Sequence, residues 1–158
     1  KESWNAKLFP PVKVIDVAER AAQTPAKTVV VTGGEPSLYQ LDIFTKVLKG
    51  KGITVMLETS GAHRLTGNWD WICLSPKKNS PPRKEIYPRA NELKVIIQKK
   101  ADLQWAEQNA ALVSRDCKLF LQPEWSVSEN ILPLLIDYVM AYPKWRISLQ
   151  THKYMRIP

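Results

Sequence analysis

Five short polar clusters carry residue types that could bind and orient a small molecule. Thr32-Gly33-Gly34-Glu35-Pro36 follows the apolar run Thr28-Val29-Val30-Val31, and Glu58-Thr59-Ser60-Gly61 follows Ile53 to Leu57. Ser75-Pro76-Lys77-Lys78 follows Trp71 to Leu74, Gln122-Pro123-Glu124-Trp125 follows Lys118 to Leu121, and Gln150-Thr151-His152-Lys153 follows Trp145 to Leu149. They bring hydroxyls, amides, carboxylates and ammonium groups, all directional hydrogen-bonding partners. Two adjacent glycines also let a backbone approach a ligand closely, because neither has a Cβ to hold it away. Singly, each cluster has a structural reading. Gly33-Gly34 is a tight strand-to-helix turn, Thr59 or Ser60 caps the next segment, Ser75-Pro76-Lys77 terminates a strand, and Gln122-Pro123 is a strand exit. Lys77 at a rim can equally pair with a carboxylate. Together the clusters predict one shared ligand site, because parallel strands bring their carboxyl ends to one rim.

The familiar self-sufficient catalytic constellations are absent. The chain has no Gly-x-Ser-x-Gly, no Walker loop and no His-Glu-x-x-His, and neither cysteine lies next to a candidate base. No residue of this chain is therefore read as catalytic, and if the chain is an enzyme a cofactor carries the hard chemistry. His63 and His152 lack metal-ligand spacing and are read as non-ligands. Cys73 and Cys117 lie in or beside apolar segments and read as buried, reduced thiols of a cytoplasmic protein.

The elements that must position these clusters follow from periodicity. Val12, Ile15, Ala18 and Ala22 recur at helical spacing after Pro10-Pro11, and residues 28–32 read as a strand. Leu38, Leu41, Phe44, Val47 and Leu48 predict a second helix, ended by Gly50 and Gly52. Residues 53–57, 71–74, 93–97, 118–121 and 145–149 read as strands, and 101–113 as a helix. Ser126 and Glu129 have the spacing of a capping box, with Ser126 as the cap of a helix running to about Tyr142 despite Pro133. Trp69, Trp71, Trp105 and Trp145 are expected in the core, with Trp125 at the rim. The alternation predicts an α/β fold with a mostly parallel sheet in a single domain, 1–158. The connections between residues 53 and 97 hold too little helix for a closed eight-stranded barrel, so an open or partial barrel is expected.

Composition bounds the partners. The 158 residues are 44% apolar, enough for one domain with a sizeable core, and no apolar stretch is long enough to span a membrane. The net charge of +8 suits nucleic acid, an anionic small molecule or simple solubility, and the basic run from Lys77 to Lys84 reads as a solvated loop. The chain starts at Lys1 rather than Met, so a preceding segment is expected.

Thr32-Gly33-Gly34-Glu35-Pro36 after a strand resembles the S-adenosylmethionine-binding motif of radical SAM enzymes. Glu58-Thr59-Ser60-Gly61, Trp69-Asp70-Trp71, Leu74-Ser75-Pro76-Lys77, Asn91-Glu92-Leu93-Lys94, Leu121-Gln122-Pro123 and Ser148-Leu149-Gln150-Thr151-His152-Lys153 resemble, in order and spacing, the 7-carboxy-7-deazaguanine synthase family. The resemblance implies a partial barrel of radical SAM type. It also implies a lyase that uses S-adenosylmethionine, a [4Fe–4S] cluster and Mg2+ to contract 6-carboxy-5,6,7,8-tetrahydropterin to 7-carboxy-7-deazaguanine with loss of ammonia, in queuosine biosynthesis. Carried over by residue, it assigns S-adenosylmethionine to Gly33, Gly34, Glu35, Ser75, Pro76, Lys77, Gln122, Pro123, Glu124 and Trp125. It assigns the pterin to Thr32 and to the terminal carboxylate of Pro158. An external electron donor such as flavodoxin, a homodimer and a cytoplasmic location are further implications, with no nucleic acid and no membrane.

One departure accompanies the resemblance. The family holds its cluster with a Cys-x3-Cys-x2-Cys loop after the first strand, and this chain has no such loop. The first strand, the cluster loop and the magnesium-site Thr are expected upstream of Lys1. Rival readings are another radical SAM enzyme such as a glycyl-radical activase, and a relative without a cluster loop that only binds. A third is a basic nucleic-acid-binding module using Lys77, Lys78, Arg83 and Lys84.

Overall fold

The computed structural model describes residues 10–157. Val29, Val30 and Val31 are β-branched and suit a pleated surface; with Thr28 they form β1 (Thr28–Val31). Five further runs become β2 (Thr54–Thr59), β3 (Trp71–Leu74), β4 (Glu92–Ile97), β5 (Lys118–Pro123) and β6 (Trp145–Ile147). The strands pair in sequential order and every pairing is parallel. Among the described residues β1 and β6 remain unpaired edges, so the sheet is open, as the sequence predicts.

The helices are α1 (Val14–Gln23), α2 (Asp42–Gly50), α3 (Asp102–Ala110), α4 (Ser128–Ala141) and the single turn α5 (Thr151–Tyr154). Between β2 and β4 the crossovers contain only the 3-10 turn Tyr87–Arg89. Loop side chains do the covering there. Leu65 arrives from the β2–β3 connection, and Ile86, Tyr87 and Ala90 from the β3–β4 connection. They join Leu57, Leu74, Leu93, Val95, Ile97 and Leu121 of the sheet, with Leu103, Ala106, Ile131 and Leu135 of the helices. A second patch joins Ala18 and Leu48 to Ile53 and Val55. Each fully buried leucine contributes roughly 1.5–3 kcal/mol.

Parallel sheets are ordinarily apolar on both faces. Here the strand positions that alternate with the core residues are Met56 and Glu58, Trp71 and Cys73, Glu92, Lys94 and Ile96, then Phe120 and Gln122, and several are charged. Such a wall fits the inside of a partial barrel rather than a second core. Lys94 Nζ pairs with Glu58 Oε1 at 2.7 Å. Glu92 accepts the Trp71 indole N–H at 3.3 Å and the Cys73 thiol at 3.4 Å.

Three local expectations are corrected. Helix α2 begins at Asp42, not near Leu38, because Glu35 caps a separate 3-10 turn, Pro36–Leu38. Leu38 is exposed. Ser126 is not the cap of α4. It sits inside a 3-10 turn, Trp125–Val127, capped by the Glu124 carboxylate, and α4 starts at Ser128. Of the tryptophans expected in the core, Trp145 is buried there and Trp69 and Trp105 pack against its edge. Trp71 lies on the polar wall instead, because its register opposite Met56 puts it on the face with Glu92.

Candidate functional site

After β1 the backbone turns through two successive positive φ angles, +84° at Gly33 and +54° at Gly34. A side chain in that region costs roughly 1–2 kcal/mol per residue, which is why glycine stands at both positions. A Cβ on Gly33 would meet nothing within 4 Å. The constraint there is the backbone conformation, not crowding.

Glu35 then ties this loop to the next. Its Oε1 accepts Ser37 N–H at 3.0 Å, Ser37 Oγ–H at 2.6 Å and Thr59 Oγ1–H at 2.5 Å. Its Oε2 accepts Ser60 N–H at 2.8 Å and the Ser60 hydroxyl. Burial pushes this carboxyl up, but the bonds from Ser37, Ser60 and Thr59 outweigh burial and hold it at about 2, below the ordinary 4.5. Glu35 lies on the cavity wall, yet both oxygens are spent on protein donors. Thr59 and Ser60, either of which the sequence reads as a cap, do both jobs: each hydroxyl donates to Glu35, while Thr59 Oγ1 accepts Gly61 N–H at 3.0 Å and Ser60 Oγ accepts Ala62 N–H at 3.4 Å.

The first three rim clusters enclose a cavity of about 240 Å³. Thr32 and Gly34 come from the end of β1, Glu58, Thr59 and Ser60 from the end of β2, and Ser75 and Lys77 from beyond β3. Ser75 is buried, and Lys77 Nζ donates to its Oγ at 3.1 Å. Although Lys77 is exposed as a residue, partial desolvation of its ammonium lowers its pKa below the ordinary lysine value, against the pull of Glu58.

Glu58 belongs to a rim motif but is not among the residues the sequence assigns to a ligand. A carboxylate on the inner face of a buried strand, with Lys94 at the matching face of β4, was the available signal. Lys94 holds Glu58 Oε1, so Glu58 stands at the cavity with its charge balanced.

A second cavity of about 400 Å³ adjoins the first at Lys77, which lines both. Pro76, Lys78, Ile96, Gln98, Trp105 and Glu124 contribute to its wall. Asp102 anchors it, accepting Gln98 N–H at 2.8 Å, Lys99 N–H at 3.1 Å and the Lys78 ammonium. Burial pushes its carboxyl up, but these bonds leave it lowered.

The other candidates divide. Gln122 and Pro123 are buried at the end of β5 and line neither cavity. Glu124 lines the second and also caps the following turn, accepting Ser126 N–H at 3.0 Å. Trp125 faces α5, with its ring 5.1 Å from that of Tyr154. The Gln150-Thr151-His152-Lys153 cluster is at the same end of the sheet but lines neither cavity. Pro158 lies outside the described residues. The basic residues Lys77, Lys78, Arg83 and Lys84 are exposed, with Lys78 paired to Asp102 and Arg83 to Glu85.

Both cysteines are buried and unbridged. Cys73 sits on the polar wall, where burial and the Glu92 charge push its thiol up; Cys117 is in the opposite core, pushed up to about 11 by burial. Among the described residues no group of three His, Cys, Asp or Glu is placed to hold a metal ion. An iron–sulfur cluster needs neighbouring thiolates, and these two do not fit one. No helix of the described residues is long and apolar enough to cross a membrane.

Comparison with known proteins identifies the arrangement. No family model matches the chain. A 7-carboxy-7-deazaguanine synthase of Flavobacterium psychrophilum is 54% identical over 158 residues, all of this chain and 75% of the relative. One of Synechocystis is 43% identical over 157 residues, 99% of this chain and 75% of the relative. The crystal structure of QueE from Escherichia coli superposes with a TM-score of 0.75 at 30% identity, covering 87% of this chain and 62% of that one. Identity of this extent along the whole length, on the same open parallel scaffold, leads to one conclusion: the chain belongs to the 7-carboxy-7-deazaguanine synthase family, within the radical SAM enzymes.

Proposed function

We propose that the two adjoining cavities form the S-adenosylmethionine and pterin wall of an enzyme that contracts 6-carboxy-5,6,7,8-tetrahydropterin to 7-carboxy-7-deazaguanine with release of ammonia. The observation that carries this reading is the junction at Lys77. A polar cavity with Gly34 in its wall runs into a second one that contains Trp105, which suits a cofactor with an amino-acid end and a nucleoside end.

The chain's residues take the following roles. Gly33 and Gly34 present backbone carbonyls and N–H groups to the methionyl end, unobstructed by side chains. Ser75 and Lys77 face the ribose, and Pro76, Glu124 and the wall near Trp105 face the base. Glu35 acts without touching the cofactor, by locking the loops after β1 and β2 into one unit. Thr32, exposed at the open side of the first cavity, donates its hydroxyl to the pterin, and Glu58 accepts a donor of either ligand.

When bound next to a reduced cluster, S-adenosylmethionine supplies a hydrogen-abstracting radical. The cluster's thiolates are not among residues 10–157, and no role is given to Cys73 or Cys117 in holding it. Mg2+, an external electron donor such as flavodoxin, a homodimeric state and a cytoplasmic location complete the reading on family resemblance.

The test is turnover by the anaerobically reconstituted full-length protein. Incubation with S-adenosylmethionine, a reductant and 6-carboxytetrahydropterin is expected to yield 7-carboxy-7-deazaguanine, identified by mass and ultraviolet spectrum. Cleavage of S-adenosylmethionine without consumption of the pterin overturns the substrate assignment.

A further inference from the structure

Residues Thr151–Ile157 form a compact turn at the rim. Helix α5 ends in a Schellman turn: Ile157 N–H reaches His152 O at 2.9 Å, Arg156 N–H reaches Lys153 O at 3.2 Å, and Arg156 adopts φ +54°. A non-glycine residue in the left-handed region persists only where its surroundings hold it. One helical turn cannot supply that support, because a helix this short is unstable by itself.

Among the described residues, Trp125 supplies aromatic support to this turn. Trp125 receives the Tyr154 ring edge-on, with centroids 5.1 Å apart and planes at 79°. The Lys153 ammonium lies 4.9 Å from the centroid of the same indole. Both geometries suit the aromatic quadrupole, whose face attracts cations and ring edges. Glu124 fixes the turn that carries Trp125 by accepting Ser126 N–H and Oγ–H. Tyr154 is half-exposed, and its ring packs edge-on with Trp125.

We propose that Trp125 is a positioning residue rather than a cofactor contact: it clasps the unit Thr151–Ile157 to the rim turn after β5, and thereby holds this stretch at the rim that the substrate meets. The second half of this statement rests on the reading given under Proposed function. The first half stands on geometry alone.

The experiment compares Trp125→Ala, Trp125→Phe and the unchanged full-length holoenzyme by hydrogen exchange and steady-state kinetics. In Trp125→Ala the amides of Met155, Arg156 and Ile157 are expected to exchange about tenfold faster, because the clasp is gone while the core is untouched. Trp125→Phe keeps a ring face for Tyr154 and Lys153 and restores most of the protection. KM for the pterin rises about tenfold in Trp125→Ala, while KM for S-adenosylmethionine stays put. Unchanged exchange overturns the clasp. Faster exchange with both KM values unchanged overturns its role in substrate positioning, and a rise in KM for S-adenosylmethionine alone makes Trp125 a cofactor contact. Absence of turnover in the unchanged protein overturns the substrate reading instead, and leaves the exchange result to decide the clasp.

Discussion

Glu35→Gln separates the charge of this side chain from its shape. Glutamine fits the same space and can still accept bonds from Ser37 and Thr59 through its amide oxygen. The amide nitrogen, however, would face Ser60 N–H, now 2.8 Å from Glu35 Oε2, so two donors meet and one goes unpaired. A lowering from 4.5 to about 2 corresponds to roughly 3 kcal/mol at about 1.4 kcal/mol per pH unit. Solvent screening at this half-open site reduces it to about 1–2 kcal/mol. The sign follows from linkage. A carboxylate whose folded pKa lies below its unfolded one stabilises the fold fully above about pH 4.5, and the effect fades as pH falls toward 2. Urea unfolding of both proteins between pH 3 and 8 is therefore expected to give a constant gap from pH 6 to 8. By pH 3 roughly half of that gap or more is gone. The same variant is expected to raise KM for S-adenosylmethionine, because the diglycine turn loses its tether to Ser60. A gap that is equal at pH 3 and pH 7 refutes the charge-based brace.

Gly61→Ala is expected to be worse than its size suggests. The new Cβ would sit 2.5 Å from Leu74 Cδ1 and 3.1 Å from Pro82 Cβ at φ +73°, so backbone strain and overpacking together cost about 2–4 kcal/mol in denaturant unfolding. Asn109→Ala removes the acceptor of the Tyr87 hydroxyl at 2.8 Å and the donor to Trp105 O at 2.7 Å in a site only 1% exposed; a loss of about 1–3 kcal/mol is expected, of which only the part due to the orphaned Tyr87 hydroxyl should return when Tyr87→Phe is added. Cys73 and Cys117, both buried with pKa values pushed up, are expected to resist iodoacetamide at pH 8 in the folded protein and to react at once in urea, read by peptide mass spectrometry.

The legible parts of this fold are those fixed by neighbours in sequence. Trp71–Leu74 is found where its apolar run ends, and the parallel order follows from the alternation of runs and helical periods. The rim location of all five clusters was therefore readable. What escaped depends on partners far along the chain. Leu38, Leu41 and Phe44 have helical spacing, but Leu41 N–H is taken by Thr66 Oγ1, 25 residues away, and the helix begins after it. Ser126 and Glu129 have capping spacing, yet the nearer Glu124 takes Ser126 N–H first.

The same distinction divides the site. A motif can say that Gly33 and Gly34 bend the backbone, since only glycine adopts those angles cheaply. It cannot say whether Glu35 next to them faces a ligand or the protein. That is settled by Thr59 and Ser60 at the end of the neighbouring strand β2, whose hydroxyls and amide saturate the carboxylate. Glu58 is the converse case. Its partner Lys94 lies 36 residues on and takes one oxygen only, so its carboxylate stays at the cavity wall. Of two acids near one rim, the one within the motif is a brace and the one outside the assigned set is at the surface a ligand meets. Residue type cannot separate them; the count of donors each already satisfies does.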